Sequence, residues 1–142
     1  MIRAVYDTNV IVSGLLHAEG IPALLLDLAT QGFVGLLLTN EILKEYEEVL
    51  TRPKFSFSQK RVKRLLKRLR ARGKVIKPTT TVAVLKDPSD NKFLECALSG
   101  RADYFVTGNT RHFPLRTFRS VRIVSPREFW EIYQEKLLTS LK

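Results

Sequence analysis

The sequence contains few cysteines, histidines and acidic residues. These shortages exclude an internal disulfide and a cysteine-based zinc site, and they leave the chain strongly basic. Its single cysteine, Cys96, cannot form an internal disulfide, which fits a protein of the reducing cytoplasm. One cysteine and two histidines do not make a zinc site of the cysteine type. Asp and Glu total 14 against 24 Lys and Arg, so the formal net charge is +10. Such an excess indicates a polyanionic partner, nucleic acid before a membrane surface.

Long hydrophobic runs and glycine-rich phosphate loops are also missing. No apolar run reaches the length that a bilayer requires, and residues 1–6 do not have the layout of a signal peptide. The Walker and Gly-x-Gly-x-x-Gly patterns of nucleotide-binding proteins do not occur. What is present is an ordinary globular composition, with 142 residues of which 44% are hydrophobic. We therefore expect one domain over residues 1–142, cytoplasmic and without a membrane partner.

Short apolar runs alternate with amphipathic segments along the chain. Strands are predicted at residues 2–6, 33–38, 104–106 and 121–124, and helices at 10–17, 22–31, 41–51, about 57–73, 87–99 and from 126 onward. Ser56 and Gln59 have the spacing of a capping box at the start of the fourth helix. Residues 74–85 are rich in Thr and Val and contain Pro78, which favours an edge strand or an extended crossover. This alternation predicts an α/β fold with a mostly parallel sheet covered on both faces.

Functional side chains of a parallel sheet gather beyond the carboxyl ends of its strands. Asp7 and Asn109 directly follow predicted strands. Asp90 falls near the middle of the apolar arc of its helix, where a carboxylate needs a counter-charge, a metal or hydrogen-bond donors. The simpler interpretation is structural, because Asp7 and Asp90 are each placed to cap the first turn of a helix.

A third carboxylate comes from the predicted helix of residues 41–51. Glu45 and Glu47 flank opposite edges of its apolar arc, so periodicity does not choose between them, and either is equally suited to be a solvated residue paired with a neighbouring lysine. The parallel-sheet arrangement brings Asp7, Glu45 and Asp90 toward one edge. Ligands that are all oxygen suit Mg²⁺ or Mn²⁺. The cluster therefore predicts metal-assisted hydrolysis of a phosphodiester, in which the metal orients and acidifies a water.

The positive charge is concentrated in one stretch. Between Lys60 and Lys77 the sequence has ten Lys or Arg and no acid, with an apolar stripe that packs on the domain. We expect the basic face to follow a phosphate backbone, and the alternative is a solvated face that maintains solubility. The predicted contacts to nucleic acid are Lys60, Arg61, Lys63, Arg64, Lys67 and Arg68, with Arg111 and His112 further along the chain.

Four ordered motifs resemble the PIN-domain family. They are Tyr-Asp-Thr-Asn-Val at 6–10, Leu-Lys-Glu-Tyr-Glu-Glu-Val-Leu at 43–50, Asp-Pro-Ser-Asp-Asn-Lys-Phe-Leu-Glu-Cys-Ala at 87–97 and Ala-Asp-Tyr-Phe-Val-Thr-Gly-Asn at 102–109. The sequence is similar to the branch of toxin-antitoxin toxins that is related to VapC. The resemblance implies a three-layer α/β/α sandwich and a Mg²⁺- or Mn²⁺-dependent endoribonuclease. It also implies an RNA substrate, an antitoxin protein as partner, and a homodimer or higher homo-oligomer.

The resemblance also assigns the acids of the site. The family's first acid matches Asp7, and the acid on the helix after the second strand matches Glu45 rather than Glu47. The next acid matches Asp90. By this analogy Asp7, Glu45 and Asp90 are the metal ligands and catalytic acids.

One position departs from the family's pattern. The fourth acid of many members falls on Asn109, whose amide oxygen can ligate a metal but brings no charge. We therefore expect Asn109 to take part in catalysis while binding a second metal weakly. Thr8 and Thr107 are expected to support the site by hydrogen bonds to the acids or a water, or else to be ordinary hydroxyls that cap a turn.

Three other functions compete with a toxin nuclease. The first is a PIN module that binds RNA or a partner and cuts poorly, because Asn109 replaces an acid. The second is a housekeeping nuclease of RNA processing, which the sequence does not separate from a toxin. The third is a phosphatase of the haloacid dehalogenase type, but that type requires an Asp where this chain has Asn9.

Overall fold

The computed structural model describes residues 1–82, 88–113 and 116–141. Its strands are β1 (Arg3–Tyr6), β2 (Gly35–Leu38), β3 (Lys74–Val75), β4 (Tyr104–Val106), β5 (Thr117–Phe118) and β6 (Val121–Val124). Its helices are α1 (Thr8–Leu16), α2 (Ile21–Thr30), α3 (Asn40–Leu50), α4 (Gln59–Arg72), α5 (Asn91–Ser99) and α6 (Pro126–Ser140). Short 3₁₀ turns cover Pro53–Phe55, Pro88–Asp90 and Thr110–His112.

The strands form one sheet in the order β3-β2-β1-β4-β6-β5. Neighbouring strands pair in parallel, except that the edge strand β5 runs antiparallel to β6. In the central strand, Ala4 pairs with Leu36 of β2 on one side and with Tyr104 of β4 on the other. The chain therefore moves outward from β1 in both directions, and the strand order reverses beside β1. Such a switch point is where open α/β sheets bind ligands.

Helices cover both faces of the sheet. Tyr104 and Phe105 are adjacent in β4, so their side chains point to opposite faces. Phe105 stacks on Phe93 of α5 with ring centroids 5.6 Å apart, whereas Tyr104 meets Phe129 of α6 edge-on at 5.5 Å. On the second face, α2 packs against α6. The molecule is thus the three-layer α/β/α sandwich that the sequence predicts.

The two helices after β1 are strongly apolar. Within the part of the chain that the structure describes, no single helix is both long and apolar enough to cross a membrane. Only together do α1 and α2 reach that length and hydropathy, and they are bent by 107° with respect to each other. Their buried side chains, among them Ile11 and Leu25, belong to the hydrophobic core.

The predicted order of the main strands and helices is confirmed, and the predicted cap of α4 is corrected. Ser58, not Ser56, caps α4, since its hydroxyl accepts a hydrogen bond of 3.1 Å from the Arg61 amide. The edge strand predicted within residues 74–85 is confirmed as the two-residue β3, and residues 83–87 lie outside the described part. The sequence did not predict β5, because two residues carry no periodic pattern.

Candidate active site

Asp7 follows β1 directly and is buried, with 8% of its surface exposed. It occupies the N-cap position of α1, yet its side chain makes no capping hydrogen bond. Its Oδ2 instead accepts a hydrogen bond of 2.7 Å from the hydroxyl of Thr107, which follows β4. The Asp7 amide donates to the Val106 carbonyl over 2.8 Å, which holds the two strand ends together. The carboxylate therefore lies at the switch point, and the capping interpretation of Asp7 is wrong.

The loop after β4 packs beside the Asp7 carboxylate. The Thr107 hydroxyl oxygen accepts from the Asn109 amide over 3.1 Å. Asn9, in the first turn of α1, accepts from the Gly108 amide over 2.9 Å and places its own amide nitrogen 3.5 Å from Asp7 Oδ2. A Cβ atom on Gly108 would lie 3.2 Å from the Asn9 oxygen, so glycine permits this close approach. These contacts bring Asn109 to the same strand ends as Asp7.

Glu45, on α3, accepts hydrogen bonds from the protein on both of its oxygens. The hydroxyl of Thr8, the first residue of α1, donates to Oε2. The Lys92 ammonium lies 2.5 Å from Oε1 and 2.5 Å from the Ser89 carbonyl oxygen. Lys92 is only 8% exposed, and an ammonium at that depth is costly unless it is paired. Glu47, by contrast, is exposed and lies at the groove between α3 and α4.

Asp90 and Glu45 act on the ionisation of Asp7. Burial is the main cause that raises the pKa of Asp7 to about 6. The hydrogen bond from Thr107 lowers the pKa, and the negative charges of Asp90 and Glu45 raise it. Asp90 itself occupies the N-cap position of α5 and its side chain does not cap that helix. The alternative that it caps the turn beside Asp87 involves a residue outside the described part of the structure. A carboxylate whose ionised form is penalised in this way is stabilised by a nearby cation.

The acids do not form a closed metal cage. Across residues 1–82, 88–113 and 116–141, no three side chains of His, Cys, Asp or Glu converge closely enough to hold a metal ion. Thr8 and Lys92 occupy both oxygens of Glu45, and Thr107 donates to Asp7. Carboxylate oxygens of this kind are the ligands that a hard divalent cation such as Mg²⁺ takes, with water completing its shell.

The basic residues predicted to contact nucleic acid lie on the surface. α4 buries Val62, Leu65 and Leu69 and exposes the opposite, basic face. That face carries Lys60, Arg61, Lys63, Arg64, Lys67 and Arg68. Arg111 is exposed in the 3₁₀ turn that follows Asn109, whereas the side chain of His112 lies outside the described part of the structure. The structure thus places a basic helix and one further arginine at the surface of the domain.

Sequence patterns do not single out Lys92 or Asn9. Lys92 and Cys96 share one face of α5 and both are buried, although a lysine inside a motif is normally taken for a solvated residue. One signal was available. A carboxylate on an apolar helix face needs a counter-charge, and Lys92 is the basic residue nearest to Asp90 in the chain.

Known proteins are similar to this chain in sequence and in fold. A PIN domain family model matches residues 3–111, the segment that contains Asp7, Glu45, Asp90 and Asn109. The chain belongs to the PIN domain family. The uncharacterized protein MJ1680 of Methanocaldococcus jannaschii is 28% identical to this PIN domain protein over 145 residues, 94% of this chain and 93% of the relative.

Two crystal structures have a similar fold. VapBC2 from Rickettsia felis, bound to a DNA fragment from its promoter, superposes with a TM-score of 0.57 and 13% identity over 87% of the PIN domain protein and 98% of the matched chain. DNA-bound VapBC from Salmonella typhimurium gives a TM-score of 0.60 and 18% identity over 89% and 99% of the two chains. At such identities the likeness shows the fold, which agrees with the predicted family.

Proposed function

We propose that this PIN domain protein is a metal-dependent endoribonuclease that acts in the cytoplasm with Mg²⁺ or Mn²⁺, as the toxin of a toxin-antitoxin pair. The observation that carries the proposal is the buried Asp7 at the switch point, under the negative charge of Asp90 and Glu45. Burying a carboxylate close to other carboxylates costs free energy, and proteins have such clusters mainly at functional sites. The net charge of +10 supports a nucleic-acid substrate.

Asp7 and Asp90 are the residues that would hold the metal. A bound Mg²⁺ or Mn²⁺ supplies an acidified water and neutralises the scissile phosphate. Thr107 fixes the orientation of the Asp7 carboxylate, because its hydroxyl donates to Oδ2 while the Val106 carbonyl holds the Asp7 amide. A carboxylate that is oriented by a hydrogen bond, on a main chain that is itself anchored, needs little rearrangement when the cation binds.

Glu45, on α3, adds a third negative charge near Asp7 and Asp90. Its carboxylate is oriented by the Thr8 hydroxyl and the Lys92 ammonium, and its charge adds to the attraction for a cation. Lys92 offsets the negative charge of Glu45. Asn109 contributes an amide oxygen in place of a fourth acid, and a second metal would bind only with substrate phosphate present.

A groove of about 640 Å³ between α3 and α4 suits a protein partner. Its floor includes Leu43 and Leu66, and its walls carry Glu47 on one side and Lys67 on the other. An apolar floor between walls of opposite charge fits an amphipathic peptide segment. The structural likeness to VapBC complexes supports an antitoxin as that partner, and we extend the proposal to a homodimer or higher homo-oligomer on the same likeness.

The proposal is tested by incubating the purified protein with a panel of labelled RNAs in Mg²⁺, in Mn²⁺ and in EDTA. We expect internal cleavage that requires the metal and that is lost in Asp90→Asn. Asn109→Asp should accelerate cleavage if the missing charge limits a second metal. RNA binding without cleavage in either metal would instead favour the binding module. An exposed acid on α2, Asp27, provides the matched control as Asp27→Asn, which should cut like the wild type.

The basic face of α4 is expected to supply salt-sensitive binding. Lys60→Gln, Lys63→Gln and Lys67→Gln together should reduce the slope of log affinity against log salt by about 2 for single-stranded RNA, at ~0.7 per lost phosphate contact. The measurement is fluorescence anisotropy in EDTA over a range of salt concentrations. The control removes as many charges from the opposite end of the sheet, by Arg3→Gln, Arg122→Gln and Lys136→Gln. An equal change of slope in the control would show that general charge, and not α4, governs binding.

A further inference from the structure

The connection between α3 and α4 carries two stacked aromatic rings. Phe55 and Phe57 have ring centroids 5.7 Å apart and ring planes inclined by 15°. Ser56, between them, has φ 56° and ψ 26°, a left-handed backbone that a side chain adopts at a cost of about 1–2 kcal/mol. This conformation reverses the chain and brings the flanking rings to the same side.

Each ring is accompanied by a cation. The Lys54 ammonium lies 5.1 Å from the centroid of the Phe55 ring, and the Arg61 guanidinium lies 5.4 Å from that of Phe57. Arg61 also donates to the Leu15 carbonyl over 3.2 Å, so the guanidinium is held in place from two sides. Both rings are half-buried, which leaves part of their surface open while the rest anchors them in the core.

The surroundings of this cluster favour a polyanion. No acid occurs in the sequence between Glu48 and Asp87, and the cluster lies just before the basic face of α4. Arg61 connects the cluster to Leu15 of α1, about 10 Å of helix beyond Thr8, which contacts Glu45. The cluster thus lies along α1 from the candidate active site.

We propose that Lys54, Phe55, Phe57 and Arg61 form a binding site for an unpaired nucleotide of single-stranded RNA. The base stacks on the aromatic and guanidinium surfaces, and the cations contact the neighbouring phosphates, as in other single-strand binding proteins. This inference rests on the proposed function for the choice of RNA, and it specifies the substrate as single-stranded. Bases within a duplex are already stacked on each other and do not reach such a surface.

The test compares binding of a short oligouridylate with binding of an RNA duplex of the same length, by anisotropy in EDTA. Phe55→Leu with Phe57→Leu should weaken binding of the single strand about tenfold, since base stacking contributes ~1–3 kcal/mol per base. Binding of the duplex should be unchanged, which also shows that the variant is folded. Phe33→Leu, an exposed phenylalanine before β2 at the opposite end of the sheet, is the control and should have no effect.

A second, milder variant distinguishes a loss of binding from a loss of folding. Arg61→Lys keeps the charge but removes the planar group, so single-strand affinity should fall several-fold while its salt slope stays the same. Equal losses for single strand and duplex, or no loss for either, would overturn the proposal. Unchanged RNA binding with weakened binding of polyglutamate would assign the surface to an acidic protein and overturn it as well. Because binding is measured without metal, the result is independent of whether the protein cleaves RNA.

Discussion

Asp7→Asn is expected to remove cleavage activity and, in the absence of metal, to make the protein more stable. The loss of activity follows from removing one of two carboxylates that would hold the cation. A metal contributes several kcal/mol to a phosphodiester transition state, so the rate should fall by about 100-fold or more. The gain in stability follows from the environment of the carboxylate, which penalises its charged form.

The sign of the pH dependence is set by the raised pKa. Burial first, and then the charges of Asp90 and Glu45, raise the pKa of Asp7 to about 6 in the folded protein, above its ordinary value of 3.8. The folded state therefore holds its proton more tightly than the unfolded state. Stability falls as pH rises from about 4 to about 6, and the total loss is on the order of 3 kcal/mol. Asparagine does not ionise, so this loss should be absent in the variant.

The measurement is urea unfolding of both proteins in EDTA at pH 4 and at pH 7. The two free energies of unfolding should be similar at pH 4 and should differ by about 2–3 kcal/mol at pH 7, with the variant more stable. Adding Mn²⁺ at pH 7 should stabilise the wild type much more than the variant. Asp27→Asn, an exposed substitution of the same chemistry, should show none of these effects. A variant less stable than the wild type at pH 7 in EDTA would contradict the prediction.

Breaking the pair of Lys92 and Glu45 is expected to destabilise the domain. Glu45→Gln leaves the buried ammonium with the Ser89 carbonyl and no counter-charge, at a cost of about 3 kcal/mol. Lys92→Met leaves a carboxylate that is 27% exposed and that still accepts from Thr8, so the cost should be smaller, about 2 kcal/mol. Urea unfolding of each variant measures both costs.

The double variant separates the pair from its surroundings. Glu45→Gln with Lys92→Met removes both charges, so its cost should be less than the sum of the single costs by at least about 1 kcal/mol. Calorimetric titration with Mn²⁺ gives a second readout. Lys92→Met should bind Mn²⁺ more tightly, on the order of tenfold, because the site gains a net negative charge. Additive costs and an unchanged Mn²⁺ affinity would show that Lys92 does not influence the acids.

Local rules predicted most of the fold from the sequence. Thr39 caps α3 by accepting from the Ile42 amide over 3.1 Å, and Ser125 with Glu128 forms the capping box of α6, as their spacing indicates. These features depend on residues a few positions apart. The cap of α4 was predicted at the wrong serine, because the left-handed backbone of Ser56 depends on how the connection packs.

The sequence predicted which edge of the sheet carries the candidate site, but not which of its side chains contact each other. The rule that functional groups lie beyond the carboxyl ends of parallel strands brought Asp7 and Asn109 to one edge. It does not say which carboxylates are paired with other side chains. The contact between Lys92 and Glu45 joins α5 to α3, and no pattern within either helix reveals it. That contact, together with the hydrogen bond from Thr8, occupies both carboxylate oxygens of Glu45.

The hydrogen bond between Thr107 and Asp7 spans 100 positions of the chain and has a consequence during protein synthesis. β1 has no neighbour on one side until β4 has been made, and the Asp7 amide has no Val106 carbonyl to bind. A nascent polypeptide that ends before β4 therefore carries Asp7, Glu45 and even Asp90 without the strand that assembles them. If the protein has the proposed nuclease activity, its site would in this way remain unassembled on the ribosome, beside its own messenger, until β4 has been made.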